Sequence, residues 1–306
     1  MTSIQGRSLP LPESWSTGNL PTMYDLPSED PTEPGLPDEF HDLQPQLLSR
    51  TLRLSHYTAQ EMFSVSDMNL YYDPEHLNWY KRPDWFLVVG VPRRYRGKSS
   101  RSSYVLWDEK VSPAIVVEFL SPGTEPEDLG RFAPQPPIVK PGQPPCKFDV
   151  YEQIVQVQHY IVYHEETETL RYFRRVNLQF QEQPIADGNP RLWIPELEIG
   201  LGLWQGEFEG LPQAWLRWCD RAGQFFPTDT EAALASREIE RRAKEQERRA
   251  KEQERRAKEQ ERRAREEAQA QVRQTAQNLL NLGMSIAQVS QITGLSQSQV
   301  QNLIAD

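Results

Sequence analysis

Two carboxylates stand where the chain gives little reason to place a charge. Asp84 follows Pro83 at the mouth of one apolar run, WFLVVGV, and Glu118 lies inside another, IVVEFL. Ile115, Val116 and Val117 are β-branched, and a short, nearly continuous run of this kind reads as a strand buried on both faces. A buried carboxylate is costly unless it meets a cation, a metal or a proton. Acids at the ends of neighbouring strands offer the oxygen donors that a divalent ion takes. Such an ion activates water in phosphodiester cleavage. The structural alternative is that Asp84 caps a turn and Glu118 pairs with an arginine.

The elements that must position these acids follow from pattern. Leucines 43, 47, 48, 52 and 54 are spaced for a helix, about Gln46 to Leu54. FSVSDMNLYYD alternates as a first strand, about Phe63 to Tyr72. Trp85 to Val91 is a second strand, SSYVLW a short edge strand, and Pro113 to Leu120 the central one. Pro122 to Pro145 is dense in proline and glycine and reads as one long loop. CKFDVYEQIVQV reads as a helix, and QHYIVYH with ETLRYFRR as a hairpin. NLQFQEQ and RLWIPELEIGLGLW continue the β character, and LPQAWLRWCD reads as a short closing helix. Helix, strands, helix, strands is an α/β or α+β order with a mixed sheet.

Composition bounds the classes. The chain has 306 residues and a net charge of −10, with 37% hydrophobic residues. An acidic chain argues against general nucleic-acid coating but permits a local basic groove. Arg93, Arg94, Arg96, Lys98 and Arg101 form such a patch, a candidate phosphate contact or else a solvated hairpin loop. Cys146 and Cys219 lack metal-ligand spacing, as expected of a reduced, cytoplasmic protein. No apolar leader and no membrane-length apolar run is seen, so neither secretion nor a membrane span is expected. His159 and His164 lie in strands without ligand spacing and read as structural.

Four segments are expected: an acidic, proline-rich, partly disordered arm (1–40), the main domain (41–228), a charged helix (229–271) and a C-terminal helical module (272–306). In the third, RRAKEQE occurs three times and is followed by RRAREEA. One alanine per heptad falls short of the two large seam residues of a two-stranded coiled coil. The i,i+4 pairs Glu247–Lys251, Glu254–Lys258, Glu245–Arg249 and Glu252–Arg256 favour a solvated single helix, with a weak coiled coil as the alternative. In the fourth, helix, Gly294-containing turn and helix outline a helix-turn-helix. It has few cations for phosphates, which favours a protein partner or a homodimer contact over DNA.

RPDWFLVVGV, SPAIVVEFLSPGTEPEDLG and PPCKFDVYEQIVQVQHYIVYHEETETLRYFRR together resemble the Uma-two family of bacterial restriction-endonuclease-like proteins. That family belongs to the PD-(D/E)xK nuclease superfamily. The match falls on Pro83-Asp84, on Glu118 and Ser121, and on Lys147 and Tyr151. The resemblance implies a nuclease-like mixed central sheet flanked by helices, followed here by the long charged helix and the small helical pair. It also implies endonucleolytic hydrolysis of DNA with Mg²⁺ or Mn²⁺ on Asp84 and Glu118. A silent nuclease fold serving as a DNA-binding or protein-interaction scaffold is the alternative. The superfamily's lysine, two residues after the acid, is replaced by Leu120. Lys147 is expected to supply that cation from the next helix, with Tyr151 lining the same pocket. Ser121 is expected to shape the turn or hold a metal-bound water.

Overall fold

The structure is a computed structural model. It describes residues 20–22, 25, 39–120, 124–138, 140, 142–186 and 188–305. It divides into two compact units, Met1–Glu231 and Ala232–Asp306.

The first unit is built on a six-stranded sheet. Its strands are β1 (Met62–Val65), β4 (Trp85–Val89), β6 (Ile115–Phe119), β7 (His159–His164), β8 (Thr169–Val176) and β9 (Gln179–Gln183), adjacent in that order. Every pair is antiparallel except β6 with β7, so the sheet is mixed, as the sequence reading expects. Strands β4 and β6 are buried throughout, which is why they read as continuous apolar runs. Parallel neighbours need a crossover. Here it consists of α3 (Glu125–Leu129), a 3₁₀ turn, the proline-rich segment and α4 (Lys147–Asp149). Helix α4 passes into a wider π turn over Val150–Ile154, where the Val155 amide donates to the Val150 carbonyl at 2.9 Å.

Two three-stranded sheets complete the unit: β3 (Tyr80–Lys81), β2 (Leu70–Tyr71) and β5 (Tyr104–Val105), then β10 (Arg191–Ile194), β11 (Ile199–Phe208) and β12 (Leu211–Cys219). Helix α1 (Glu39–Thr51) packs on β12, and a four-residue helix α2 (Leu106–Glu109) follows β5. The buried Gln44 amide donates to the Leu216 carbonyl at 2.9 Å and accepts from the Leu216 amide at 2.8 Å. Trp215 and Trp218 are fully buried. The Tyr163 hydroxyl donates to the Ala214 carbonyl at 3.1 Å.

Several boundaries differ from the sequence reading. LPQAWLRWCD is strand β12, not a helix: it pairs along its length with β11, from Gly200↔Cys219 to Phe208↔Leu211. The expected first strand is two strands, because the chain turns at Asp67, which has φ of 51°. Helix α1 begins seven residues earlier than expected and accommodates Pro45. The expected single loop after Pro122 contains α3. Gly130 lets the chain leave that helix: it has φ of +51°, and a Cβ there would lie 2.8 Å from Phe148 side-chain atoms. Most of the N-terminal arm lies outside the described residues, but Leu20 packs on Tyr71, Tyr95, Val105 and Trp107.

In the second unit, the charged helix continues to Asn281 as α5, which starts at Asp229. The expected boundary at 271/272 therefore falls inside a helix. Ala276 of α5 makes a small core with Val289 of α6 (Ile286–Thr293) and Val300 of α7 (Gln297–Ala305). Gly294, at φ of 72°, ends α6. Among the described residues, no helix is long and apolar enough to cross a membrane.

Candidate active site

Strand register brings the two acids together. Trp85 lies opposite Val117, so Asp84 falls opposite Glu118 across the β4–β6 pair. The Asp84 amide donates to Glu118 Oε2 at 3.3 Å. The Phe119 amide donates to Asp84 Oδ2 at 2.5 Å. Each acid is thus held by the backbone of the other's strand.

Lys147 and Tyr151 approach from the crossover. Lys147 Nζ donates to Glu118 Oε2 at 3.0 Å, and the Tyr151 hydroxyl donates to Glu118 Oε1 at 2.7 Å. The Lys147 side chain remains 22% exposed while Glu118 is fully buried, so the cation is the outward-facing member of the pair. Four residues apart on one helical segment, Lys147 and Tyr151 lie on the same side, and the segment widens into a π turn of the kind often found at functional sites. The Lys147 amide donates to Glu127 Oε2 at 3.1 Å, and Lys81 Nζ donates to the same oxygen at 3.1 Å.

A third acid was not anticipated. Asp128, on α3, is 1% exposed, and its Oδ1 lies 3.4 Å from Lys147 Nζ without making a hydrogen bond. The sequence signal was the TEPEDL stretch, where Pro126 suits a first helical turn and Leu129 turns inward. Reading this region as loop hid it. His41 of α1 was also missed: its Nε2 lies 3.2 Å from the Phe119 carbonyl. No spacing in the chain marks that contact.

The electrostatics follow from burial. Desolvation pushes the Glu118 carboxyl up to about 7, with Lys147 opposing and Asp84 adding to the rise. Burial pushes Asp128 up to about 6, again against Lys147. Asp84 is raised by the same cause. Burial acts to lower the Lys147 pKa, but Glu118, Asp128 and Asp84 together hold it well above the ordinary range. The ammonium therefore keeps its proton, and three carboxylates share one cation.

The crowding of three carboxyl groups, their hard oxygen donors and an Asp128 Oδ1 that makes no hydrogen bond fit a divalent cation. Among the described residues, no three acidic, His or Cys side chains converge as a ready-made metal cage. Mg²⁺ does not need one, since it is usually held by one or two carboxylates together with waters and substrate phosphates.

The basic run is not at this site. Asp84 precedes β4 and the run follows it, and at about 3.3 Å per residue the two ends lie about 20 Å apart. Arg93, Arg94, Arg96 and Lys98 are exposed, with Arg96 bonded to Asp108 at 2.9 Å. Arg101 corrects the sequence reading. It is buried, donates to Glu109 at 2.6 and 3.1 Å and to the Arg93 and Pro92 carbonyls, and has no edge to offer a phosphate. Ser121 lies outside the described residues. His159 is buried against the Tyr172 hydroxyl, 2.7 Å from Nδ1.

The Uma2 family model, described as "Putative restriction endonuclease", matches residues 16–211, more than half of the chain. The match includes Asp84, Glu118, Asp128, Lys147 and Tyr151. Residues 228–296 are similar to a model described as "Chromatin assembly factor 1 complex p150 subunit, acidic region". That likeness spans the charged helix, whose heptad nonetheless carries three cations to two anions. No curated protein matches the chain.

Proposed function

The chain belongs to the Uma2 family, and we propose that it is a cytoplasmic, divalent-metal-dependent endodeoxyribonuclease. The observation that carries this reading is the buried Glu118 paired with Lys147 at 3.0 Å, with Asp84 set opposite it by strand register and Asp128 Oδ1 3.4 Å from the same ammonium. Asp84 and Glu118, with Asp128 beside them, would hold Mg²⁺ or Mn²⁺. When bound, such an ion lowers the pKa of water and neutralises charge on the phosphate oxygens.

The chain's own groups do the rest. In hydrolysis a water oxygen bonds to phosphorus, the bond to one ester oxygen breaks, and that oxygen takes up a proton. The Phe119 amide fixes Asp84 and the Tyr151 hydroxyl fixes Glu118, so neither acid must reorient as charge develops. Lys147, partly exposed and firmly protonated, offers a cation to the pentacoordinate phosphate. There it meets negative charge as that charge develops on the phosphoryl and leaving ester oxygens in the transition state.

The test is nicking of supercoiled plasmid DNA by the purified chain with Mg²⁺ or Mn²⁺, beside Asp84→Asn. Cleavage that needs the metal and disappears in the variant is expected. A folded wild-type chain that leaves DNA intact under these conditions overturns the reading in favour of a silent nuclease fold.

A further inference from the structure

Helix α5 carries a pattern that the helix itself does not use. With Ala243 taken as heptad position a, Gln246 is d, Glu247 is e and Arg249 is g. Through the three RRAKEQE repeats every a is alanine and every d is glutamine, while every e is glutamate and every g is arginine; in the RRAREEA that follows, d is Glu267 and e is Ala268. Just upstream, d is Ile239, an apolar side chain that is 69% exposed. The uncharged seam therefore runs through the most highly charged stretch of the chain, flanked by acids on one side and by arginines on the other.

The flanks select an orientation. In a parallel pair, g of one helix meets e of the next heptad in the other helix. That sets Arg242 against Glu247 of the second copy, and Arg249 and Arg256 against Glu254 and Glu261. Every contact is attractive, and each occurs twice by symmetry. In an antiparallel pair g meets g and e meets e, so arginine faces arginine and glutamate faces glutamate. Parallel pairing also sets glutamine opposite glutamine at d, where two amides donate to and accept from each other.

The existing bonds along the helix do not conflict with this. Glu245 accepts from Arg249 at 3.0 Å, and Glu247 accepts from Lys251 at 2.5 Å. Both lie within one helix, at exposed positions. A guanidinium has two edges and a carboxylate two oxygens, so each can keep its neighbour and reach across. Ion pairs at i,i+4 set no requirement for uncharged residues at both a and d in every repeat. A seam that recurs at seven residues also drifts around a straight helix unless two helices supercoil.

We propose that α5 is a pairing element that joins two copies of this chain in a parallel, in-register homodimer. Each copy brings its own carboxylate site, so the pair holds two. That is the number needed for one site to act on each strand of a duplex. The pairing itself does not depend on the nuclease reading.

Two measurements on the full-length chain test it. Cys146 and Cys219 are buried, so Ala243→Cys adds the one exposed thiol among the described residues. Mild oxidation should link most of the chain into disulfide dimers, because parallel in-register pairing brings position 243 beside itself, whereas antiparallel pairing over the whole repeat sets it against the far end. The second measurement uses sedimentation equilibrium. The wild type should show twice the mass of one chain, and Arg242/249/256→Glu and Glu247/254/261→Arg should each sediment as monomers. Mixed together, the two charge-reversed chains should form a heterodimer, since every g–e contact is then attractive again. Mixing restores no bond within either helix, so recovery isolates the contact between helices. A monomeric wild type, or a mixture that fails to associate, overturns the proposal. Neither readout involves DNA cleavage, so its failure is distinct from failure of the nuclease reading.

Discussion

The Tyr151 hydroxyl donates to Oε1 of Glu118 at 2.7 Å, while Oε2 accepts from the Lys147 ammonium at 3.0 Å and from the Asp84 amide at 3.3 Å. Two side chains of one short helical segment thus take one oxygen each of a single buried carboxylate. Tyr151→Phe removes one of the bonds that hold the Glu118 pKa down. The acid should then titrate above about 7. The rising limb of a cleavage pH profile should move to higher pH by roughly half to one unit, the scale of one lost hydrogen bond. An unmoved profile would mean that Glu118 does not control the rate.

Glu118→Gln should alter stability in a pH-dependent way. The carboxyl goes from 4.5 unfolded to about 7 folded. An acid raised on folding destabilises the fold once pH passes the unfolded value, and the cost is complete above the folded one. Metal-free wild type should therefore lose stability between those two pH values. The amide variant should lose less and be more stable at alkaline pH, by on the order of 1–3 kcal/mol. Asp128, itself raised to about 6, leaves a residual slope. Urea midpoints at acid and alkaline pH decide the matter.

Lys147→Ala should lower the turnover rate by about 10²-fold or more while changing DNA affinity by less than about tenfold, since the ammonium acts where charge develops. Lys147→Arg should restore only part of the rate. Its guanidinium is broader than the ammonium and does not fit between Glu118 and Asp128 in the same way. Single-turnover rates beside filter-binding affinities separate the two effects, and equal losses in both would reduce Lys147 to a binding contact.

Arg101→Ala should destabilise the first unit by about 3–5 kcal/mol, because it leaves the Glu109 carboxylate, only 10% exposed, without its cation. Arg94→Ala, at an exposed position, should change stability by less than about 0.5 kcal/mol. If the exposed cations touch DNA, Arg94→Ala should flatten the salt dependence of binding by about one unit of slope. An unchanged slope would leave that loop simply solvated.

The sequence shows most of the first unit because strand burial leaves a plain signature. IVVEF and WFLVV could hardly be anything but central strands, and an acid inside one of them called for a partner. Lys147 was legible only through the family resemblance, since the proline-rich segment separates it from Glu118 and no local pattern spans that gap. Asp128 escaped because proline and glycine dominate its surroundings and conceal a five-residue helix. LPQAWLRWCD misled for a related reason. Aromatic and apolar residues fill both phases of that segment, so helical and strand periods fit it almost equally well, and pairing with β11 decides. Arg101 shows the limit of charge counting: its neighbours in sequence are exposed, and only the fold reveals that Glu109 waits beneath it.

Among the described residues, the outer border of β12 meets no further strand beyond a single bridge between Cys219 and Phe225, and an open strand border invites a strand from another molecule. Here several outward-facing groups find cover from different parts of the chain. The Tyr163 hydroxyl meets the Ala214 carbonyl, the Gln44 amide meets both polar groups of Leu216, and the Phe226 amide donates to the Trp218 carbonyl at 2.9 Å. Gln44 in effect imitates one peptide unit of a missing strand. Its replacement by leucine would keep the volume yet bare one rung of the ladder, turning a self-contained sheet into a template for aggregation.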